Sequence, residues 1–141
     1  MRITRTELFC IGMLCVTLGI SIYFYPQLPD RIAVQWDIHG HTSSAEPKSI
    51  HMFLGPAMLS VLVIALIVIP RTASVSLNIE GFKRVFGGTA ILASILILMW
   101  QYYIILWNLG IKLNPNVFLV ITASAIIVWT AVWFYRARRK R

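Results

Sequence analysis

Four long apolar runs dominate this chain: Leu8–Tyr25, Ile50–Pro70, Val85–Trp107 and Val117–Tyr135. A helix needs about 20 mainly apolar residues to cross the hydrocarbon of a bilayer, and each run meets that need. In hydrocarbon the backbone must satisfy its own hydrogen bonds, so each run is expected to be a helix. Taken in order, the runs predict an all-α integral membrane protein. Four transmembrane helices form an antiparallel bundle, one domain over residues 1–141. A soluble fold is a poor match, because 58% of the residues are hydrophobic and 13% are charged, against about 25% charged in soluble domains.

The charge pattern sets an expected orientation. A formal charge of +8 does not point to nucleic acid, because the positive residues sit at helix ends with no soluble scaffold to present them. Ten of the thirteen Lys and Arg fall on one side: Arg2, Arg5, Arg71, Lys83, Arg84, Arg136, Arg138, Arg139, Lys140 and Arg141. Arg31, Lys48 and Lys112 fall on the other. Lys and Arg are retained on the cytoplasmic side. Both termini are therefore expected inside, and residues 26–49 outside, in a multi-pass protein of the cell membrane that contacts lipid along its length. Tyr23, Phe24, Tyr25, Tyr102, Tyr103 and Trp107 gather at the expected outer ends, and Phe82, Phe86, Trp133 and Tyr135 at the inner ends, as interfacial aromatics do. The first run is longer than a cleaved signal's apolar region and no A-x-A-like site follows it, so a retained signal anchor is expected.

The polar link Pro26–Ser49 carries three of the five acidic residues, Asp30, Asp37 and Glu46. Ile32, Val34 and Trp36 alternate with Ala33, Gln35 and Asp37, which predicts a short strand with one apolar face. His39-Gly40-His41 reads as a turn, where Gly40 takes positive φ without strain, and Thr42-Ser43-Ser44 as its extension. An extended, β-like outer loop therefore joins the first two helices. Trp36 suits the headgroup level. Asp37 has two readings, an acceptor for the turn or a ligand contact. Lys48 also has two, snorkelling to phosphate or pairing with Asp37 or Glu46 to close the loop into a lid.

Other chemistry is sparse. Asp37, His39 and His41 would share a strand face, but the turn at Gly40 breaks it, so neither a metal nor a cofactor is expected. Cys10 and Cys15, five apart on one helix, cannot pair and read as packing residues. Pro56 lies inside the second run, so that helix starts earlier, and the proline frees the carbonyl of Met52 and kinks the helix. No run has a central Asp, Glu, Lys or Arg, the groups that mark ion and proton paths. Thr89, Ser94 and Gln101 read as glue between helices. No Ser/His/Asp, HExxH or GxGxxG pattern points to an enzyme. In the link Arg71–Arg84, Val75, Leu77 and Ile79 alternate with polar residues, a strand-like period.

The loop also resembles the first membrane half of the bacterial SdpI-type antimicrobial-peptide immunity proteins. The residues that carry the resemblance are Leu28-Pro29, Ile32 and Val34, Gln35-Trp36-Asp37, Gly40, Lys48 and Pro56, in a spacing without gaps. It extends over about the first 110 residues. It implies an immunity or sensing role in which Trp36, Asp37, Gly40 and Lys48 engage a membrane-active peptide, with Pro29 and Pro56 structural. A structural or regulatory subunit that docks a partner membrane protein is the second expectation, and a small transporter the third.

Overall fold

In a computed structural model, residues 3–37, 39–72 and 79–138 are described. Helix α1 (Arg5–Phe24) runs into a 3-10 turn, Tyr25–Gln27, then strands β1 (Arg31–Trp36) and β2 (Thr42–Pro47). Helices α2 (Lys48–Thr72), α3 (Ile79–Asn108) and α4 (Pro115–Arg138) follow. All four helices are long and apolar enough to span a membrane, and the two strands form a small antiparallel sheet between the first two. The fold is the one expected: an all-α membrane protein with a β-like link.

Capping chemistry fixes where the helices start and stop. The Thr4 hydroxyl accepts from the Glu7 N–H at 3.2 Å, and the Glu7 carboxylate accepts from the Thr4 N–H at 2.7 Å. This capping box satisfies two donors that a helix start leaves open. At the far end of α3, Gly110 N–H reaches Trp107 O and Ile111 N–H reaches Leu106 O, the paired bonds of a Schellman stop. Helix α4 then opens with Asn114, whose side chain accepts from the Asn116 N–H, and with Pro115 in the first turn. Ile79 of the strand-like segment lies in α3. Residues 73–78, which include Val75 and Leu77, lie outside the described residues.

Helices α1, α2 and α3 pack on one another, and Thr17, Ser21, Ser94 and Gln101 are buried among them. Ser21 and Gln101 are buried, and both donate to the carbonyl of Met52, at 2.7 and 3.0 Å. This is the acceptor that Pro56 frees, so a backbone defect in α2 becomes a three-helix junction. Gly55 makes room for it, because a Cβ there would lie 2.8 Å from the Gln101 side-chain oxygen. Ser94, also buried, donates to Cys10 Sγ at 3.5 Å. The expected glue role therefore holds for Gln101 and Ser94, whereas Thr89 bonds within its own helix to Val85 O. Cys10 is buried and Cys15 exposed.

Helix α4 stands apart. Its spanning window has no buried residue. Phe118, Thr122, Ala125 and Trp129 are half-buried, one stripe at helical spacing.

Candidate functional site at the hairpin end

The hairpin is bound to the helix ends by its apolar face. Ile32 and Val34 join Leu28, Met52, Ile104 and Ile105 in one buried cluster, with Phe24, Tyr25 and Trp36 against it. Burying side chains of this size contributes about 1.5–3 kcal/mol each. The alternation of Ile32, Val34 and Trp36 is therefore the anchoring face, as expected. The extension read at Thr42-Ser43-Ser44 is instead strand: Thr42 pairs with Trp36 and Ser44 with Gln35, and the register shifts between Ala33 and Trp36.

One side chain absent from the sequence reading completes the attachment. Asn108, the last residue of α3, accepts from Ala33 N–H at 2.8 Å and donates to Ala33 O at 3.0 Å. A strand in a two-stranded sheet leaves alternate N–H and C=O groups pointing away from its partner. Asn108 meets one such pair as a neighbouring strand would.

The turn is built on Asp37. Its carboxylate Oδ1 accepts from the backbone N–H groups of His39 and His41, at 2.9 and 2.8 Å. Asp37 N–H reaches His41 O, and Gly40 N–H reaches Asp37 O. Gly40 has φ +83°, a conformation costly for any residue with a Cβ. The His41 backbone N–H, above all, holds the Asp37 carboxyl below its ordinary value of 3.8; partial desolvation opposes this, and the His41 ring and His39 N–H reinforce it. The turn reading of Asp37 is thus realised through His39 and His41, on either side of Gly40.

Lys48 departs from expectation. It pairs with neither Asp37 nor Glu46. Its Nζ donates to Leu28 O at 2.9 Å, lies 3.2 Å from Asp30 Oδ1 and sits over the Tyr25 ring. Its backbone N–H reaches Asp30 O. Lys48 therefore grips the carbonyls on both sides of Pro29 and ties the start of the loop to the start of α2. Its side chain is 17% exposed and acts as a clamp between the loop and α2. Glu46 is taken by His51, 3.3 Å away. Each acid of the loop has its own basic neighbour: Lys48 beside Asp30, His41 beside Asp37 and His51 beside Glu46. Among the described residues, no group of three or more His, Cys, Asp or Glu is placed to hold a metal ion.

Trp36 connects the hairpin to α3 and α4. Its ring lies 5.0 Å from Tyr103 and 4.9 Å from Trp107, centre to centre, and edge-on to Trp100 at 6.2 Å. Tyr103 in turn stacks on Phe118 of α4 at 4.7 Å. The Trp36 indole N–H is buried among these rings with no hydrogen-bond partner among the described residues. Beside it opens a hollow of about 500 Å³ between hairpin, α3 and α4. The sequence marked Trp36, Tyr103 and Trp107 as interfacial, but not that they converge with Trp100 and Phe118.

Residues 12–60 are similar to a family described as a domain of unknown function, DUF1648. That stretch runs from within α1 through the hairpin to within α2. It contains Pro29, Trp36, Asp37, Gly40, Lys48 and Pro56. No curated protein and no solved structure matches the chain.

Proposed function

We propose that this chain is a cell-membrane binding protein of the SdpI-like immunity or sensing kind, with both termini cytoplasmic and the hairpin outside. The hairpin end recognises a membrane-active amphipathic peptide where it meets the bilayer surface. The observation that carries this reading is the form of the hairpin. Its acids are matched by neighbouring bases, its inner face is locked to three helices, and it presents a preorganised turn at the membrane boundary. Preorganisation lowers the ordering cost of binding. The residues that carry the resemblance lie in this unit and the start of α2, within the stretch, residues 12–60, that is similar to DUF1648. Trp36, Asp37, Gly40 and Lys48 act together, Gly40 and Lys48 by holding the backbone, Trp36 and Asp37 by shaping the surface. The test is capture from intact cells with a photocrosslinking amino acid at Ser43, exposed on β2 just after the turn, and at Val120 on α4. A peptide captured at Ser43 and not at Val120 supports the reading. Capture of an integral membrane protein at both positions supports the docking-subunit reading instead.

A further inference from the structure

The hollow beside Trp36 lies on the seam between α3 and α4, and a further gap opens along the same seam. The second, about 360 Å³, is lined by Val85, Leu96, Ile126, Trp129 and Trp133 among others. Leu96 lines both. The gaps reach from Val85 to Tyr103 on α3, which at 1.5 Å per residue is about 27 Å, close to the ~30 Å of a bilayer's hydrocarbon. Between them, contact is local: a Cβ on Gly88 would lie 2.5 Å from the Trp129 ring, and Tyr103 stacks on Phe118 near the hairpin. In water such gaps would favour closure of the helices. In a bilayer no hydrophobic force drives α4 onto α3.

We infer that phospholipid acyl chains occupy this seam as bound lipid, and that the hairpin-side gap is a specific site for one phospholipid of that leaflet. The polarity of the gap chooses the occupant. Gln35 and Ser43 lie at its hairpin end, the level of headgroup and ester. Leu96, Leu119 and Thr122 lie deeper, Leu96 about 10 Å along α3 from Tyr103, and Leu119 and Thr122 about 6 and 10 Å along α4 from Pro115. No charged residue lines either gap among the described residues, so the site reads the chain and its ester region and not a particular headgroup charge. The lipid wedges α4 against α3 and fills the space under Trp36, joining the hairpin to a helix that the protein alone holds loosely. This inference is independent of the peptide-binding reading.

The test uses the full chain in nanodiscs containing a phosphatidylcholine with a photoactivatable group in its acyl chain. Irradiated in the disc, the probe is expected to label Leu96, Phe118 and Thr122 in the seam, and also Val120 and Ile127 on the outward face. Irradiated only after dilution into lipid-free detergent, the seam residues should still be labelled and Val120 and Ile127 should not. Leu119→Trp with Thr122→Leu fills the hairpin-side gap and should abolish the persistent crosslinks there. Should that variant not fold, Leu96→Phe intrudes on both gaps and should reduce them. Equal labelling and equal loss on both faces would show ordinary surrounding lipid and overturn the inference. So would protein–protein crosslinks through the seam, which would give it to a second copy. The readout involves no peptide, so either proposal can fail alone.

Discussion

Asp37 concentrates more of the turn's geometry in one side chain than any other hairpin residue described. Its carboxylate is bonded in the folded hairpin and free in the unfolded chain, so its pKa is lower when folded. The stability it contributes is therefore complete above its ordinary value of 3.8 and is lost as pH falls through the lower folded value. Thermal melts should show a hairpin contribution that is constant from neutrality to about pH 4 and declines below. Asp37→Asn keeps an acceptor and should remove that acid limb. Gly40 fails differently. At φ +83°, Gly40→Val should cost about 1–2 kcal/mol in backbone strain alone, because the nearest atom to the added Cβ, Pro115 Cδ at 3.9 Å, is at ordinary contact distance. Gly40→Asn should cost clearly less, since Asn tolerates that region. Comparing the melting of the two variants separates strain from lost contact.

At the scale of elements, two junctions organise the fold. Asn108→Leu removes two hydrogen bonds to Ala33 and leaves a partly buried peptide group unpaired, which costs about 1–3 kcal/mol. Proteolysis should then cut within the hairpin while the helices stay intact. At the Met52 carbonyl, Ser21→Ala and Gln101→Leu should each cost about 0.6 kcal/mol, as hydrogen bonds within membranes do. The double variant should cost more than the sum, because the carbonyl then loses both partners in hydrocarbon. A double-mutant cycle measured by unfolding in mild detergent checks this.

The elements also show what a reader of the sequence can see. Helices were legible from length and apolarity, and β1 from the alternation of Ile32, Val34 and Trp36. Strand β2 was not, because Thr42–Pro47 has no apolar period; pairing with β1 and the Asp37 turn impose its form. The freed carbonyl of Met52 followed from Pro56, but its partners on α1 and α3 are tertiary. Asn108 reads locally as a helix end, and nothing nearby points to Ala33, 75 positions away. Spacing offers Lys48 only Asp37 and Glu46 as partners, because it does not show that the Leu28–Asp30 segment folds back beneath it.

For the whole molecule, the function proposed for the hairpin depends on which way it faces and on what it does there. Ser43→Cys, with Cys10 and Cys15 replaced, should react with an impermeant thiol reagent in intact cells; reaction only after lysis would reverse the orientation. The central claim, that the hairpin end is the recognition element, is tested by protection. Bacteria expressing the wild-type chain, the Asp37→Ala, Gly40→Val and Lys48→Ala variants, or the outward-facing span variant Ile127→Val, all at matched membrane levels, are challenged with a panel of membrane-permeabilising amphipathic peptides. If the claim holds, wild type and Ile127→Val protect against at least one peptide and the three hairpin variants do not. Full protection by abundant hairpin variants, with loss in Gln101→Leu, would place the site between the helices and contradict it, as would no protection by the wild-type chain against any peptide of the panel.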